Sequence, residues 1–109
     1  MISIEDFNKI EMCAGTVLDA CENKKSRNPS YAVTIDFGET IGVKKSSAQI
    51  TALYAPQDLI GQQVICCVNL APLHIGSVKS EVRILGTESA QGVVLLRTAE
   101  KVQNGDRVF

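Results

Sequence analysis

The chain has 109 residues, of which 45% are hydrophobic and 21% are charged, and 11 basic residues face 12 acidic ones. This length suits one domain, so we predict a single domain over residues 1–109. The apolar fraction excludes intrinsic disorder, and no apolar run approaches the ~20 residues of a membrane-spanning helix. The acidic start, Met1 to Asp6, is not that of a signal peptide. We therefore expect a soluble cytoplasmic protein without membrane insertion.

The net charge of −1 excludes a general attraction to nucleic acid or to anionic membranes. Such a partner has to be held by a local patch, so the distribution of charge matters more than its total. Between positions 21 and 48 the chain carries five basic and three acidic residues, a local balance of +2. This stretch is the first candidate for contact with a polyanion. Its basic residues are Lys24, Lys25, Arg27, Lys44 and Lys45.

The four cysteines, at positions 13, 21, 66 and 67, form no C-x-x-C pair, and His74 is the only histidine. The spacing of a structural zinc site is therefore missing. Two disulfides are an alternative, but the chain lacks a secretory signal and has enough aliphatic residues for a core. No nucleophile-elbow pattern surrounds Ser80, which excludes a hydrolytic triad with His74. We expect buried or half-buried free thiols, no metal, no cofactor and no catalytic residue.

The first segment predicts a short helix from Ser3 to about Lys9, because Ser3 is a suitable N-cap and acidic residues occupy the first turn. A helix of two turns needs an apolar partner surface, either in its own domain or in a second copy of the chain. Ile4, Phe7 and Ile10 supply its apolar side. We predict that these residues, with the C-terminal Val108 and Phe109, form a homodimer interface.

Alternation of apolar and polar residues predicts the strands, most clearly from Tyr31 to Phe37. Gly15 is predicted to mark a bend or bulge, and residues 22–29 a polar loop. Proline at position 56 and glycine at position 61 delimit a short helix. Residues 70–76 are interpreted as a loop and residues 86–92 as a turn region. The strands are predicted at about 11–18, 31–37, 41–49, 64–68, 81–85 and 93–96.

Strands with a short helix between the third and the fourth follow the element order of an OB barrel. We predict an all-β fold, a five-stranded OB-fold barrel with a short N-terminal helix and extra C-terminal strand elements. Residues 64–68 are apolar on both faces, which is typical of a central strand covered on both sides.

Four motifs resemble the CsaA-type proteins, small tRNA-binding OB-fold proteins described as export-related chaperones. They are Asp36-Phe37-Gly38, the Lys-Lys-Ser-Ser-Ala-Gln run at 44–49, Asn-Leu-Ala-Pro at 69–72 and Lys-Ser-Glu-Val at 79–82. The resemblance runs from about Phe7 to Arg107. The motifs identify the family only in combination, because any one of them alone is a weak signal. The wider family includes the tRNA-binding appendage of methionyl-tRNA synthetases. Since no residues remain for a synthetase core, we expect a free-standing domain.

The resemblance implies a homodimer that binds tRNA and has unfolded or pre-export polypeptide as a proposed second ligand. An alternative is a peptide-binding secretion chaperone in which RNA binding is incidental. Arg83 departs from the family, which carries methionine or an aliphatic residue at this position. The predicted RNA-binding residues are Arg27, Lys44, Lys45, Ser46, Ser47, Gln49, Asn69, Lys79, Ser80, Glu81 and Arg83.

Each of these residues also has a plainer interpretation. Adjacent lysines on a strand point to opposite faces, so only one of Lys44 and Lys45 is expected to face the RNA, and lysines also protect strand edges. The serines, Gln49 and Asn69 could cap turns and strand ends instead, and Glu81 could be a solvent-facing acid. Aromatic residues make up only 5% of the chain. We therefore expect recognition of folded RNA by its shape rather than by base stacking.

Overall fold

The computed structural model describes the whole chain as ten strands and two short helices around an antiparallel sheet. The helices are α1 (Ile4–Asn8) and α2 (Pro56–Leu59). The strands are β1 (Met12–Glu22), β2 (Tyr31–Asp36), β3 (Val43–Ala48), β4 (Gln63–Cys67), β5 (Leu73–Ile75), β6 (Val78–Ser80), β7 (Arg83–Ile84), β8 (Gly86–Ser89), β9 (Gly92–Leu95) and β10 (Arg107–Val108).

Five strands form a nearly closed barrel in the order β3-β2-β1-β4-β7, and β10 also pairs with β1. The hairpins β5–β6 and β8–β9 are separate two-stranded sheets. The prediction of an OB-fold-like all-β barrel with α2 between its third and fourth strands is confirmed. No helix in the structure is long and apolar enough to cross a membrane.

The core lies inside the barrel and follows the period-two pattern of β2. Tyr31, Val33, Ile35 and Phe37 are all buried, whereas the residues between them are half-buried. Tyr31 and Phe37 are therefore core residues rather than exposed platforms for bases. The last four residues of β4 are all buried, which confirms a central strand covered on both faces.

Gly15 is required by packing, and this corrects the predicted bend or bulge at that position. A Cβ atom on Gly15 would lie 2.7 Å from Cγ2 of Ile35 and 2.7 Å from the ring of Phe37. The bulge itself lies three residues further along, where the register of β1 against β2 shifts between Val17 and Asp19. Glycine is thus the only residue that lets β1 approach the buried face of β2 this closely.

The C-terminal half differs most from the sequence-based prediction. The expected loop at 70–76 contains β5, which pairs with β6 across a turn at Gly76. The expected strand at 81–85 is reduced to Arg83–Ile84, because Glu81 leaves the sheet to hydrogen-bond with β3. The expected turn at 86–92 is mostly strand, since β8 already begins at Gly86.

Both predicted helices are present and are capped as their sequences indicate. The Ser3 hydroxyl accepts a hydrogen bond from the Asp6 backbone N–H at 3.1 Å, while α1 buries none of its residues. In α2 the Asp58 carboxylate accepts from the Ala55 N–H at 3.1 Å. Gly61 follows the helix with a φ of 85°, a conformation that favours glycine.

All four cysteines are free thiols, and three of them are buried. Cys21 is exposed, which corrects the expectation that every thiol is at least half-buried. Burial, followed by the charges of Glu11 and Cys67, raises the pKa of Cys13. Burial also raises the pKa of Cys66, with smaller contributions from Cys13 and Cys67. These groups stay protonated at neutral pH and act as small hydrophobic residues.

We predict that Gly15→Ala destabilises the fold by about 1–3 kcal/mol, because the added methyl group overpacks a filled core. Urea denaturation followed by circular dichroism measures this change. Gly42→Ala is the matched control, since its Cβ site is empty and only the φ of 84° is unfavourable, at a cost of about 1–2 kcal/mol. A Gly15→Ala variant as stable as the wild type would contradict the close contact with Ile35 and Phe37.

We also predict that only Cys21 of the folded protein reacts rapidly with iodoacetamide near neutral pH. The raised pKa of Cys13 and Cys66 lowers their thiolate fraction at any given pH, and burial blocks access to them and to Cys67. Mass spectrometry should show one adduct on the native chain and four after denaturation. Rapid modification of Cys13 or Cys66 in the native state would contradict this structural role.

Candidate nucleic-acid interface

A seam between β3 and residues 80–81, at the end of β6, closes the barrel. Two of the predicted RNA-binding side chains, those of Ser80 and Glu81, form this seam. The Lys45 N–H donates to a carboxylate oxygen of Glu81 at 3.0 Å, and the Glu81 N–H donates back to the Lys45 carbonyl at 2.8 Å. The Ser80 hydroxyl accepts from the Ser47 N–H at 2.9 Å. Glu81 and Ser80 therefore hold the barrel shut, whatever else they contact.

Beside this seam lies a groove of about 530 Å³, which we call the barrel groove. Its walls are the end of β3, the β5–β6 hairpin and residues 82–88, and ten of its 19 lining residues are hydrophobic. Its charged residues are Glu81, Glu88 and Arg83, two carboxylates against one guanidinium. Of the predicted RNA-binding residues it contains Ser46, Ser47, Gln49, Ser80, Glu81 and Arg83.

The lysine pair of β3 divides between the two faces of that strand, as predicted. Lys44 stands opposite Ile35, which lies in the barrel core, whereas Lys45 stands opposite Thr34 on the outer face. Lys44 is half-buried and Lys45 is exposed. Ser46 is on the inner face with Lys44, and its side chain is only 1% exposed, so it is inaccessible to a ligand.

Asn69 is committed to the N-terminal segment rather than to the barrel groove. Its amide nitrogen donates to the Lys9 carbonyl at 2.7 Å, and its amide oxygen accepts from the Glu11 N–H at 2.9 Å. The Cys67 thiol also donates to this oxygen, at 3.5 Å. Asn69 thus fixes the connection from α1 to β1, beside the start of the barrel.

Arg27 lies in the loop between β1 and β2, which borders a second, shallower pocket of about 500 Å³. Only one of its ten lining residues is hydrophobic, and Lys24 is the other cation among them. Lys79 lies on β6 and is exposed. The structure therefore separates the predicted site into two parts. One is the barrel groove, and the other is a basic region outside it, which contains Lys24, Arg27 and Lys79.

Asn23 organises this basic region, although it belongs to none of the motifs in the sequence. Its side chain is buried, and its amide nitrogen donates to the Ile75 carbonyl at 2.8 Å and to the Ser47 hydroxyl at 3.2 Å. The Ser47 hydroxyl in turn donates to that of Ser30 at 3.3 Å. Asn23 thereby ties the β1–β2 loop to β3 and β5. Only its position beside two lysines hinted at such a role.

No group of three or more histidine, cysteine, aspartate or glutamate side chains is arranged to hold a metal ion. The residues predicted to form a dimer interface meet around the start of β1, where Met12 pairs with Val108. Ile4, Ile10 and Phe109 are exposed there, whereas Phe7 and Val108 are half-buried.

The chain matches a family model described as "Putative tRNA binding domain" over residues 12–107. It is 37% identical over 109 residues to a methionine–tRNA ligase of Methanoregula boonei, covering 99% of this chain and 16% of that protein. The chain spans only about a sixth of the length of the curated ligases it matches.

Two solved structures resemble the chain over its entire length. A chaperone CsaA from Bacillus anthracis str. Ames is 44% identical, with a TM-score of 0.92 and coverage of 100% of this chain and 99% of that one. A CsaA chaperone protein from Picrophilus torridus is 38% identical, with a TM-score of 0.95 and full coverage of both chains. The chain therefore belongs to the tRNA-binding domain family and is similar throughout to its CsaA-type members.

Proposed function

We propose that the protein binds tRNA through surface cations, without catalysis and without a cofactor. One observation carries this proposal: the structure contains a single ion pair, between Lys9 and Asp6, although the chain has eleven lysines and arginines. The other ten have no carboxylate within ion-pairing distance. The free cations around the β1–β2 loop are suited to a polyanion, although the domain is nearly neutral overall.

The proposed contacts are those accessible residues that surround the seam and the β1–β2 loop. Lysine and arginine would neutralise phosphates, which position the RNA, while hydroxyl and amide groups would bond to ribose or phosphate oxygens. Glu81 would keep the β3 backbone in place beside them. The proposed set is Arg27, Lys45, Lys79, Ser47, Gln49, Ser80 and Glu81. Lys44, Asn69 and Arg83 lie at its margins and are not expected to neutralise phosphates.

We propose that the protein has no catalytic site, because Ser80 and His74 are not arranged as a nucleophile and its base. The Ser80 hydroxyl accepts from Ser47 and donates to the Val82 carbonyl at 3.4 Å, so it is not free to act as a nucleophile. His74 is exposed and stands directly opposite Lys79 rather than near a serine or cysteine. Neither arrangement resembles a nucleophile with its base.

A second candidate function is the binding of unfolded polypeptide in the barrel groove. Leu70 and Leu73 line this groove and are 50% and 64% exposed, so they offer neighbouring apolar surface to an unfolded polypeptide. The two similar CsaA proteins are named chaperones. In this alternative, RNA binding is incidental to a role in protein export.

We further propose that the protein is a cytoplasmic homodimer. Helix α1 buries none of its residues within the chain, and Ile4 and Phe109 are 66% and 100% exposed. Apolar side chains at both termini converge at one end of β1, where a symmetric partner would cover them. The dimer would leave the β1–β2 loop, at the other end of β1, free for ligand.

We predict that Lys45→Ala weakens the binding of tRNA and lowers the slope of log Kd against log salt concentration by about one unit. Lys45 is exposed on the outer face of β3, and its side chain has no carboxylate partner. Lys44→Ala is the matched control, because the same charge is removed from the inner face, and its slope should stay near that of the wild type. Titrations at several salt concentrations measure both slopes.

A slope that is unchanged in Lys45→Ala, or lowered equally in Lys44→Ala, would contradict the assignment of the outer face of β3. Binding that holds or strengthens as salt rises would favour the apolar polypeptide ligand instead, since hydrophobic contacts are not screened by salt.

We predict a dimer at low micromolar concentration, measured by light scattering after size-exclusion chromatography. Ile4→Asp combined with Ile10→Asp should give a folded monomer, because charge at an apolar interface is costly to desolvate. Leu53→Asp combined with Ile60→Asp places two charges at other exposed apolar positions and should leave the dimer intact. A wild-type monomer at this concentration would contradict the proposed interface.

A further inference from the structure

We propose that, apart from the phosphate at Lys45, the phosphates of the bound RNA lie on a basic arm outside the barrel groove. The basic arm consists of Lys24, Lys25 and Arg27 of the β1–β2 loop and Lys79 of β6. This inference rests on the proposed tRNA binding and names the surface that performs it. It places no phosphate in the barrel groove, on the other face of the β5–β6 hairpin.

The distribution of charge separates the two surfaces. All four cations of the basic arm are exposed, and none has a carboxylate within 4.0 Å. Glu22 is the only acidic residue that lines the shallower pocket, which Lys24 and Arg27 border. The barrel groove, in contrast, presents two carboxylates and one guanidinium. A phosphate backbone would be attracted to the arm and repelled by the groove.

Direct contacts hold the loop and the hairpin together, so the arm is one surface rather than two mobile ones. A Cβ atom at Gly76, the turn of the hairpin, would lie 2.7 Å from the Lys25 carbonyl carbon and 2.8 Å from the Ser26 nitrogen. Gly76 has a φ of 61°, which favours glycine. Asn23 adds the buried hydrogen bond to the Ile75 carbonyl at 2.8 Å. The backbone that carries these cations is therefore held in place before a ligand arrives.

The register of the β5–β6 hairpin places Lys79 on the face opposite the barrel groove. Directly opposed residues of an antiparallel pair share a face, so His74 and Lys79 are on one side. Leu73 and Ser80 form the neighbouring pair on the other side, and both line the groove. A ligand on the arm and a ligand in the groove would thus occupy different faces of the same hairpin.

The arm offers charge but no platform for stacked bases. Tyr31 borders the polar pocket but is only 7% exposed, and its hydroxyl donates to the Tyr54 carbonyl at 2.7 Å. Asn28 and Thr51 supply amide and hydroxyl groups around the same pocket. Such a surface suits the phosphates and 2′-hydroxyls of a folded RNA better than the splayed bases of a single strand.

The test compares Lys25→Gln, Lys79→Gln and the double variant with two controls, using unfractionated deacylated bacterial tRNA as the probe. Arg83→Gln removes a cation from the barrel groove. Lys101→Gln removes an exposed lysine from a segment whose neighbour Val102 is bonded to Gln63, which pairs with Thr16 near the middle of β1. Melting curves establish that each variant is folded, since exposed substitutions have small effects on stability.

We expect each arm variant to lower the slope of log Kd against log salt concentration by about one unit, and the double variant by about two. Arg83→Gln and Lys101→Gln should keep the wild-type slope. A lowered slope in Arg83→Gln with unchanged slopes in the arm variants would place phosphates in the groove and overturn the inference. Unchanged slopes in every variant would overturn it too. Wild-type protein that binds no tRNA at any salt concentration would instead refute the proposed function itself.

The same variants are titrated with reduced, carboxymethylated α-lactalbumin, a permanently unfolded polypeptide. The inference expects the arm variants to retain whatever affinity the wild type has for this probe, because it would use the other face of the hairpin. Arm variants that lose polypeptide binding while their tRNA binding is unchanged would show that the arm serves polypeptide, and this result would overturn the inference.

Discussion

The structure depends on β1 having hydrogen-bonded partners along both edges. Along one edge, β1 pairs first with β10 and then with β2. Along the other edge it pairs with β4, and just beyond this pairing the Val17 N–H donates to the Gln62 carbonyl at 2.9 Å. The strand is eleven residues long, so its two ends lie far apart. The C-terminal Val108 pairs with Met12 at the start of β1, directly after α1. The β1–β2 loop follows Glu22, at the other end of β1. A surface for self-association and a surface for RNA can therefore coexist without overlap.

Much of this architecture could be predicted from the sequence, because several elements carry long or chemically distinct patterns. The alternation from Tyr31 to Phe37 predicts both a strand and its buried face, and Pro56 with Gly61 delimits α2. The β5–β6 hairpin could not be predicted, because strands of three residues are too short to show a period of two. The sequence alone predicts a bend or bulge at Gly15, because its close contact with Phe37 involves a residue that is distant in sequence and cannot be seen without the fold.

The site was predictable in its residue types but not in their roles. Strand geometry alone indicates that Lys44 and Lys45 face opposite ways, and the register of β3 agrees. The sequence does not reveal that Ser80, Glu81 and Asn69 hydrogen-bond to backbone groups, because their partners lie 33 to 60 residues away in the chain. Without the fold, a polar residue that bonds to RNA cannot be distinguished from one that bonds to a distant strand.

The closure of the barrel has a consequence for its motion. A regular ladder between β3 and β7 is missing, and the seam is held by two side chains, Glu81 and Ser80, with one backbone hydrogen bond beside them. Side-chain bonds of this kind can break one at a time, whereas a ladder opens cooperatively, so the seam is the place where local opening costs the least free energy. Such an opening would widen the barrel groove while β1, β2 and β4 remain paired. It would let the barrel accept ligands of different size without unfolding.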